Sequence, residues 1–451
     1  MTISFLLDKF KTHAAAPALI WEDKEISFGD LLVLYDQCVS FLDKVGFVDG
    51  QVTAVEADFA PRSVAMLLAL IARNAVVVPL TPTIELKKAE YKQTAQVECS
   101  LRLRHDQTFD FELYTRKANH PLLLELKAMR HAGLVVFSSG TTGATKAALH
   151  DFVALLEKYK VQRKVRRMIG FLLFDHLGGL NTLFYSLSNA GTLVLLKERN
   201  PQTVVDAIAR HRIEVLPTSP TFLNLILMSE AHKNADLRSL TLITYGTESM
   251  PESLLHRVRQ AFPGADLQQT YGLTELGVLR SKSKSSDSLW VKLGGEEFAT
   301  RVRDGLLEIK AKSVMLGYLN APSPFTEDGW YMTGDRVEVD GEYLRILGRD
   351  SNIINVGGQK VYPAEITSAL LDLPGVVEVV VAGEPNSIMG SIVKAFVKLS
   401  TTETPPEFRV RMRKHLQEKG LASYKIPQKV TISEVPLHSP RFKAQAGQDL
   451  G

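Results

Sequence analysis

Residues 134–150 read LVVFSSGTTGATKAALH. Four β-favouring residues, Leu134 to Phe137, run straight into Ser138-Ser139-Gly140-Thr141-Thr142-Gly143-Ala144-Thr145-Lys146. Hydroxylated residues and glycines placed directly after a buried strand gather backbone N–H groups, hydroxyl donors and a lysine in one loop. A polyphosphate needs that set, because glycine lets the backbone approach and the Lys146 ammonium neutralises charge. The generic Walker A loop is not met: starting from Gly140 it requires Gly at position 145, where the chain has Thr145. A bland Ser/Thr/Gly surface loop is the competing structural reading.

Upstream, apolar residues recur at helical spacing over 28–45, and Gly46 and Gly50 mark a turn. Residues 51–57 then read as a strand, 63–72 as a helix and 76–78 as another strand. Strand–helix–strand alternation at this spacing points to βαβ units on a mostly parallel sheet. Residues 85–130 read as polar and irregular. Downstream, 158–167 carries six positive charges, and a solvated helix face is preferred for it over a surface for an acidic partner. Residues 169–174 read as an apolar strand ending in Asp175-His176, 204–211 as a helix, and 215–219 and 240–244 as strands.

At 451 residues the chain has room for two or three domains with ample core. Its 45% apolar and 23% charged residues are those of an ordinary globular protein. A net charge of +3 gives no case for nucleic acid or a membrane surface. Two cysteines, Cys38 and Cys99, exclude a disulfide framework or a Cys-based metal site and suit a reducing cytoplasm. The stretch from Val64 to Leu80 is broken by Arg73-Asn74 and ended by Pro79, so a buried helix and strand are expected rather than a membrane span. The opening MTISFLLDKFK has too short an apolar run for a signal peptide. We therefore expect a soluble, cytoplasmic protein.

Further signals follow in order. Tyr245-Gly246-Thr247-Glu248 comes after an apolar strand, and Tyr271-Gly272-Leu273-Thr274-Glu275 after another. Residues 282–288 are Ser/Lys-rich and read as a loop, and 291–319 as hairpins. Trp330-Tyr331-Met332-Thr333-Gly334-Asp335 and Gly348-Arg349-Asp350-Ser351 follow, then Gly357-Gly358-Gln359-Lys360-Val361-Tyr362-Pro363-Ala364-Glu365-Ile366. The tail reads Pro436-Leu437-His438-Ser439-Pro440-Arg441-Phe442-Lys443.

Over nearly its whole length the chain resembles the adenylate-forming (ANL) superfamily of acyl- and aryl-CoA synthetases, peptide-synthetase adenylation domains and firefly luciferase. The loop at 138–147 is close to that family's [ST]-S-G-[ST]-T-G-x-P-K-G, with Thr145 for Pro and Ala147 for Gly; neither change removes a donor or the charge. Residues 271–275 match YGxTE without departure, 330–335 match W-x-x-TGD, and 357–366 match the G-x-K-[VI]-x-P-x-E-[VI] segment. Two departures stand out. The hinge residue expected after Arg349 falls on Ser351, and the tail lacks the Gly of [PR]-x-x-x-x-GK and has one extra residue before Lys443.

The resemblance implies an α/β fold: a large N-terminal domain of mixed α/β sheets with a small β-barrel (1–349) and a small mobile α+β C-terminal lid (350–451). It implies AMP-forming activation of a carboxylic acid, followed by transfer of the acyl group to a thiol. In that scheme Ser138, Ser139, Gly140, Thr141, Thr142, Gly143 and Lys146 hold the β- and γ-phosphates. Gly246, Thr247, Tyr271 and Gly272 line the adenine, Thr274 meets the α-phosphate, and Glu275 carries Mg²⁺. Asp335 and Arg349 take the ribose, His176 meets the substrate carboxylate, and Lys443, with Arg441 as its rival, bridges carboxylate and α-phosphate. The implied cofactors are ATP, Mg²⁺ and coenzyme A or a carrier protein's phosphopantetheine, with free coenzyme A preferred and the Gly357-Gly358 strand lining the thiol's approach. The position that holds an α-amino group in amino-acid-activating relatives falls on Leu177, which favours an acid without one. A nucleotide-binding pseudoenzyme and a P-loop phosphotransferase are the other classes weighed.

Overall fold

The computed structural model describes residues 2–139, 145–295 and 297–445. Gly140, Thr141, Thr142 and Gly143 of the expected phosphate loop lie outside the described residues. The large N-terminal domain is built on two seven-stranded sheets. One runs Asp266–Gln269, Leu242–Tyr245, Val215–Thr218, Arg167–Gly170, Thr192–Leu195, Pro17–Trp21 and Lys24–Ser27, parallel except for its last pair. The other runs Gly317–Tyr318, Thr145–Asp151, Gly133–Ser139, Val76–Leu80, Val52–Glu56, Cys99–Leu103 and Phe109–Leu113, with a parallel centre and antiparallel edges. The central strands Val52–Glu56 and Val76–Leu80 are buried at every position, as parallel strands covered on both faces must be.

Local chemistry sets the helices. Ser27 and Asp30 form a capping box on Phe28–Lys44. Asn200 and Ser219 cap Pro201–His211 and Pro220–Ser229, each with Pro in the first turn, where its missing N–H costs nothing. After residue 280 the chain forms a six-stranded antiparallel sheet from Ser281–Ser283 to Tyr343–Arg349, the hairpin unit expected there. The small C-terminal domain has its own apolar core, with Pro363–Leu371 and Pro405–Glu418 packed on a sheet that includes Val376–Asn386, Gly390–Leu399 and Lys429–Ile432.

Five local expectations are corrected. Residues 85–130 are not irregular: they hold two helices, Lys88–Thr94 and Pro121–Ala128, and the edge strands Cys99–Leu103 and Phe109–Leu113. Their polarity has a purpose, since Lys88, Lys92 and Arg102 surround the buried carboxylate of Glu56. The basic stretch 158–167 is a short 3-10 turn and an extended loop, not a helix face; Lys158 is tied to Asn181 Oδ1 and the Val278 carbonyl. The strand expected over 169–174 stops at Gly170, and the Ser/Lys-rich 282–288 begins within the strand Ser281–Ser283. Gly357 and Gly358, read as part of a strand, are the turn between Ile354–Val356 and Gln359–Val361, both with positive φ (57° and 85°).

Candidate active site

The phosphate-loop segment joins two antiparallel neighbours, Gly133–Ser139 and Thr145–Asp151, so that Ser138 lies opposite Lys146 in register. A Walker loop leads from a strand into a helix; this one leads into a strand. The structure brings three of the singled-out segments together here. Ser138 Oγ lies 3.3 Å from Glu275 Oε1, which also accepts a 2.6 Å hydrogen bond from Tyr318 Oη. Lys146 Nζ sits 5.2 Å from the centre of the Tyr318 ring. His150 Nε2 donates to the Thr274 carbonyl at 2.7 Å. Burial pushes the His150 pKa down, so the ring is neutral and pins the 271–275 turn to the strand that carries Lys146.

The third segment completes the cluster. Tyr271 Oη donates to Asp335 Oδ2 at 2.5 Å, and Arg349 Nε lies 2.9 Å from Asp335 Oδ1. Asp335 and Tyr271 are both buried. Burial pushes the Asp335 carboxyl up, with Arg349 and the Tyr271 hydroxyl opposing it. Gly246 follows the strand Leu242–Tyr245, and an added Cβ would stand 2.5 Å from Thr270 Oγ1 and 2.8 Å from the Thr270 carbonyl. The glycine lets two backbones pass closely. Beside it Thr247 is exposed in the left-handed conformation, φ 71°. Gly272 is confined in the same way against the Gly277 carbonyl at 2.7 Å.

A second cluster holds His176 and the tail. His176 caps the helix Leu177–Ser188, its Nδ1 accepting from the Gly178 N–H at 3.0 Å. With Nδ1 so used, the hydrogen of the neutral ring sits on Nε2. Burial, with Lys443 and Arg441 nearby, holds its pKa well below the usual imidazole value. Lys443 Nζ lies 3.4 Å from that Nε2. Two donors therefore face one another, with no acceptor between them among the described residues. Burial also lowers the Lys443 pKa, with Glu248 opposing. Arg441 is engaged elsewhere: its Nη2 is 2.5 Å from Asp175 Oδ2, which also accepts from Thr81 Oγ1 at 2.8 Å.

Sequence reasoning missed Tyr318, Glu248, Ser219 and His150 as parts of the site. Tyr318 lies 43 residues from Glu275, and only the fold brings them together. Glu248 stood in the quoted 245–248 stretch without a role; it accepts the Thr221 N–H at 2.7 Å and the Ala444 N–H at 2.9 Å.

The AMP-binding enzyme family matches residues 7–300, and the AMP-binding enzyme C-terminal domain matches residues 365–440. The chain is 31% identical over 335 residues to an indoleacetate–CoA ligase of Aromatoleum aromaticum, covering 67% of this chain and 64% of that one. It is 28% identical over 465 residues to a 2-succinylbenzoate–CoA ligase of Bacillus velezensis, covering 94% and 92%. The matches to the indoleacetate ligase and to a long-chain-fatty-acid–CoA ligase of Bacillus subtilis span 64% and 56% of those relatives' lengths. In fold it is similar to an anthranilate–CoA ligase solved with anthranoyl-AMP, with a TM-score of 0.81 at 20% identity over 98% of this chain and 95% of that one. With the match running through two thirds of its length and again through its C-terminal domain, the chain belongs to the AMP-binding enzyme family, the adenylate-forming superfamily.

Proposed function

We propose that this chain activates a carboxylic acid as its acyl-adenylate, releasing pyrophosphate, and then passes the acyl group to a thiol. The observation that carries the reading is the facing pair of donors, Lys443 Nζ and His176 Nε2–H, 3.4 Å apart and half-buried. A carboxylate oxygen is what two convergent donors take, and it relieves their mutual repulsion. The acid and the α-phosphate repel each other, so the work is positioning and charge neutralisation. Lys443 supplies the charge between them. Ser138, Ser139, Gly140, Thr141, Thr142, Gly143 and Lys146 hold the outer phosphates. Thr274 takes the α-phosphate, and Gly246, Thr247, Tyr271 and Gly272 border the adenine. Asp335 has lone pairs left for the ribose hydroxyls after serving Tyr271 and Arg349.

Mg²⁺ fits this donor set in one way. No group of three or more His, Cys, Asp or Glu able to hold a metal occurs among the described residues. Mg²⁺ in nucleotide sites takes one or two carboxylates together with phosphate oxygens and water, and Glu275 offers that single carboxylate beside Ser138. The ion would neutralise charge on the departing pyrophosphate.

The substrate lacks an α-amino group in this reading. Asp175, just before this position in the chain, is already paired with Arg441 and Thr81, and Leu177 is apolar; a buried ammonium there would have no partner. Free coenzyme A is the favoured acceptor, as in the relatives' names, ahead of a carrier protein's phosphopantetheine. We propose a division at residues 349/350, where the strand Tyr343–Arg349 gives way to a single 3-10 turn before the lid's own core begins at Ile354. No described helix is long and apolar enough to cross a membrane, and the cytoplasm is proposed as the site of action. Pyrophosphate–ATP exchange with indole-3-acetate, 2-succinylbenzoate, anthranilate and palmitate tests the first half-reaction. Exchange with at least one acid is expected, and none with any would count against catalysis. Adding coenzyme A or a holo carrier protein then separates the acceptors.

A further inference from the structure

Lys443 is carried by a three-residue hairpin loop with an unusual occupant. The Ser439 N–H donates to the Lys443 carbonyl (2.8 Å), the Phe442 N–H to the Ser439 carbonyl (2.9 Å) and the Gln445 N–H to the Leu437 carbonyl (2.9 Å). In this geometry the last loop residue takes the left-handed conformation, which normally falls to glycine. Here it is Phe442, with φ 54°. An aromatic side chain is strained there, so the surroundings must hold it.

They do, and they belong to the large domain. The Phe442 ring packs against Phe171 and edge-on to Phe222, with centroids 5.6 and 4.9 Å away. Its carbonyl accepts from Ser219 Oγ at 2.6 Å. Arg441 reaches the buried Asp175 at 2.5 Å, and the Ala444 N–H is held by Glu248 at 2.9 Å. All four contacts cross from the tail to the large domain, and all flank Lys443.

We propose that Arg441 and Phe442 are positioning residues that seat Lys443, with Asp175 and the Phe171–Phe222 pair as their sockets. This rests on the reading of Lys443 as the adenylation lysine. A glycine turn would let the tail settle loosely; an ion pair and an aromatic wedge fix it in one place. The contacts exist only while the tail lies on the large domain, so they favour the arrangement for adenylation and contribute nothing once the tail has left. Asp175 is then a docking point for the lid, not a ligand of the acid.

The test uses the full chain and the variants Arg441→Ala, Arg441→Lys, Phe442→Gly and Lys443→Ala. Amide hydrogen exchange over residues 437–445, with no ligand added, should show protection in the wild type and its loss in Arg441→Ala and Phe442→Gly. Pyrophosphate–ATP exchange with the fastest acid of the panel above should fall about 10- to 100-fold in the same two variants, the scale of a misplaced catalytic group. The KM for ATP should stay within about 2-fold, and Arg441→Lys should recover part of the loss. Thioester formation from synthetic acyl-adenylate and coenzyme A should change far less than exchange. Phe442→Gly relieves the backbone strain, so wild-type protection and exchange in that variant would overturn the wedge. Equal losses in both half-reactions would reduce these residues to general stability and overturn the proposal too. If Lys443→Ala keeps full exchange, the reading of Lys443 itself fails; the hydrogen-exchange result still decides the docking.

Discussion

Removing Asp335 should damage stability and nucleotide binding together, by amounts that the structure sets. Its buried carboxylate accepts from the Tyr271 hydroxyl at 2.5 Å and pairs with Arg349 Nε at 2.9 Å. Hydrogen bonds to a charged group contribute about 1.5–3 kcal/mol each. The Tyr271 bond is buried and counts near the top of that range. The Arg349 side chain is 36% exposed, so water recovers part of its loss, and we count it near 1 kcal/mol. Asp335→Ala should therefore cost about 3–4 kcal/mol, lowering the melting temperature by about 3–6 °C for a domain of this size. Asp335→Asn keeps an acceptor for Tyr271 and loses chiefly the charge opposite Arg349, so its cost should be about half. In both variants the KM for ATP should rise at least about 10-fold, the equivalent of one lost charge-assisted hydrogen bond to the ribose. Thermal melts with and without ATP, and KM from pyrophosphate exchange, measure both effects. Wild-type melting and wild-type KM in Asp335→Ala would refute the reasoning; lost stability with an unchanged KM would leave the triad structural and remove it from the nucleotide site.

Glu275→Gln keeps the acceptor for Tyr318 but not the charge, so the Mg²⁺ concentration for half-maximal exchange should rise at least about 10-fold; an unchanged Mg²⁺ titration would move the ion elsewhere. Gly246→Ala forces a Cβ to within 2.8 Å of the Thr270 carbonyl, and a cost of about 1–3 kcal/mol is expected, read by denaturant midpoint with m unchanged. His176 should shape the acid limb of stability. Its folded pKa is depressed by burial and by Lys443, so its contribution is fully present above the unfolded value near 6.5 and is lost as pH falls, by at most about 1.4 kcal/mol per pH unit. His176→Asn preserves the helix cap and should flatten the fall between pH 6.5 and 5; parallel wild-type and variant profiles would contradict a half-buried neutral imidazole.

Much of this architecture is legible along the chain because it is written locally. The buried strands around 52–56 and 76–80 show as apolar runs, the helices announce their caps, and the segments proposed to hold the nucleotide stand as contiguous motifs. The stretch over 85–130 was not legible, because its charges answer a buried Glu56 in another strand and mask the short edge strands they sit on. The basic 158–167 stretch misled for a related reason: Lys158 is consumed by Asn181 and the Val278 carbonyl, leaving charge density that says nothing about a helix face. At the tail, the missing glycine and the extra residue read as irregularity. Their sense depends on distant partners: Asp175, 266 residues away, for Arg441, and Phe171 and Phe222 for Phe442. No local pattern encodes a left-handed phenylalanine whose strain is offset by an aromatic socket.

The fate of the nucleotide tests the central claim most directly. With ATP labelled at the α-phosphate, Mg²⁺ and the acid that gives the strongest exchange, the account predicts label appearing in acyl-adenylate and then in AMP, with an equal amount of pyrophosphate. Label accumulating as ADP would mean that the bond between the β- and γ-phosphates is the one broken, and the assignment of this site to carboxylate adenylation would fall.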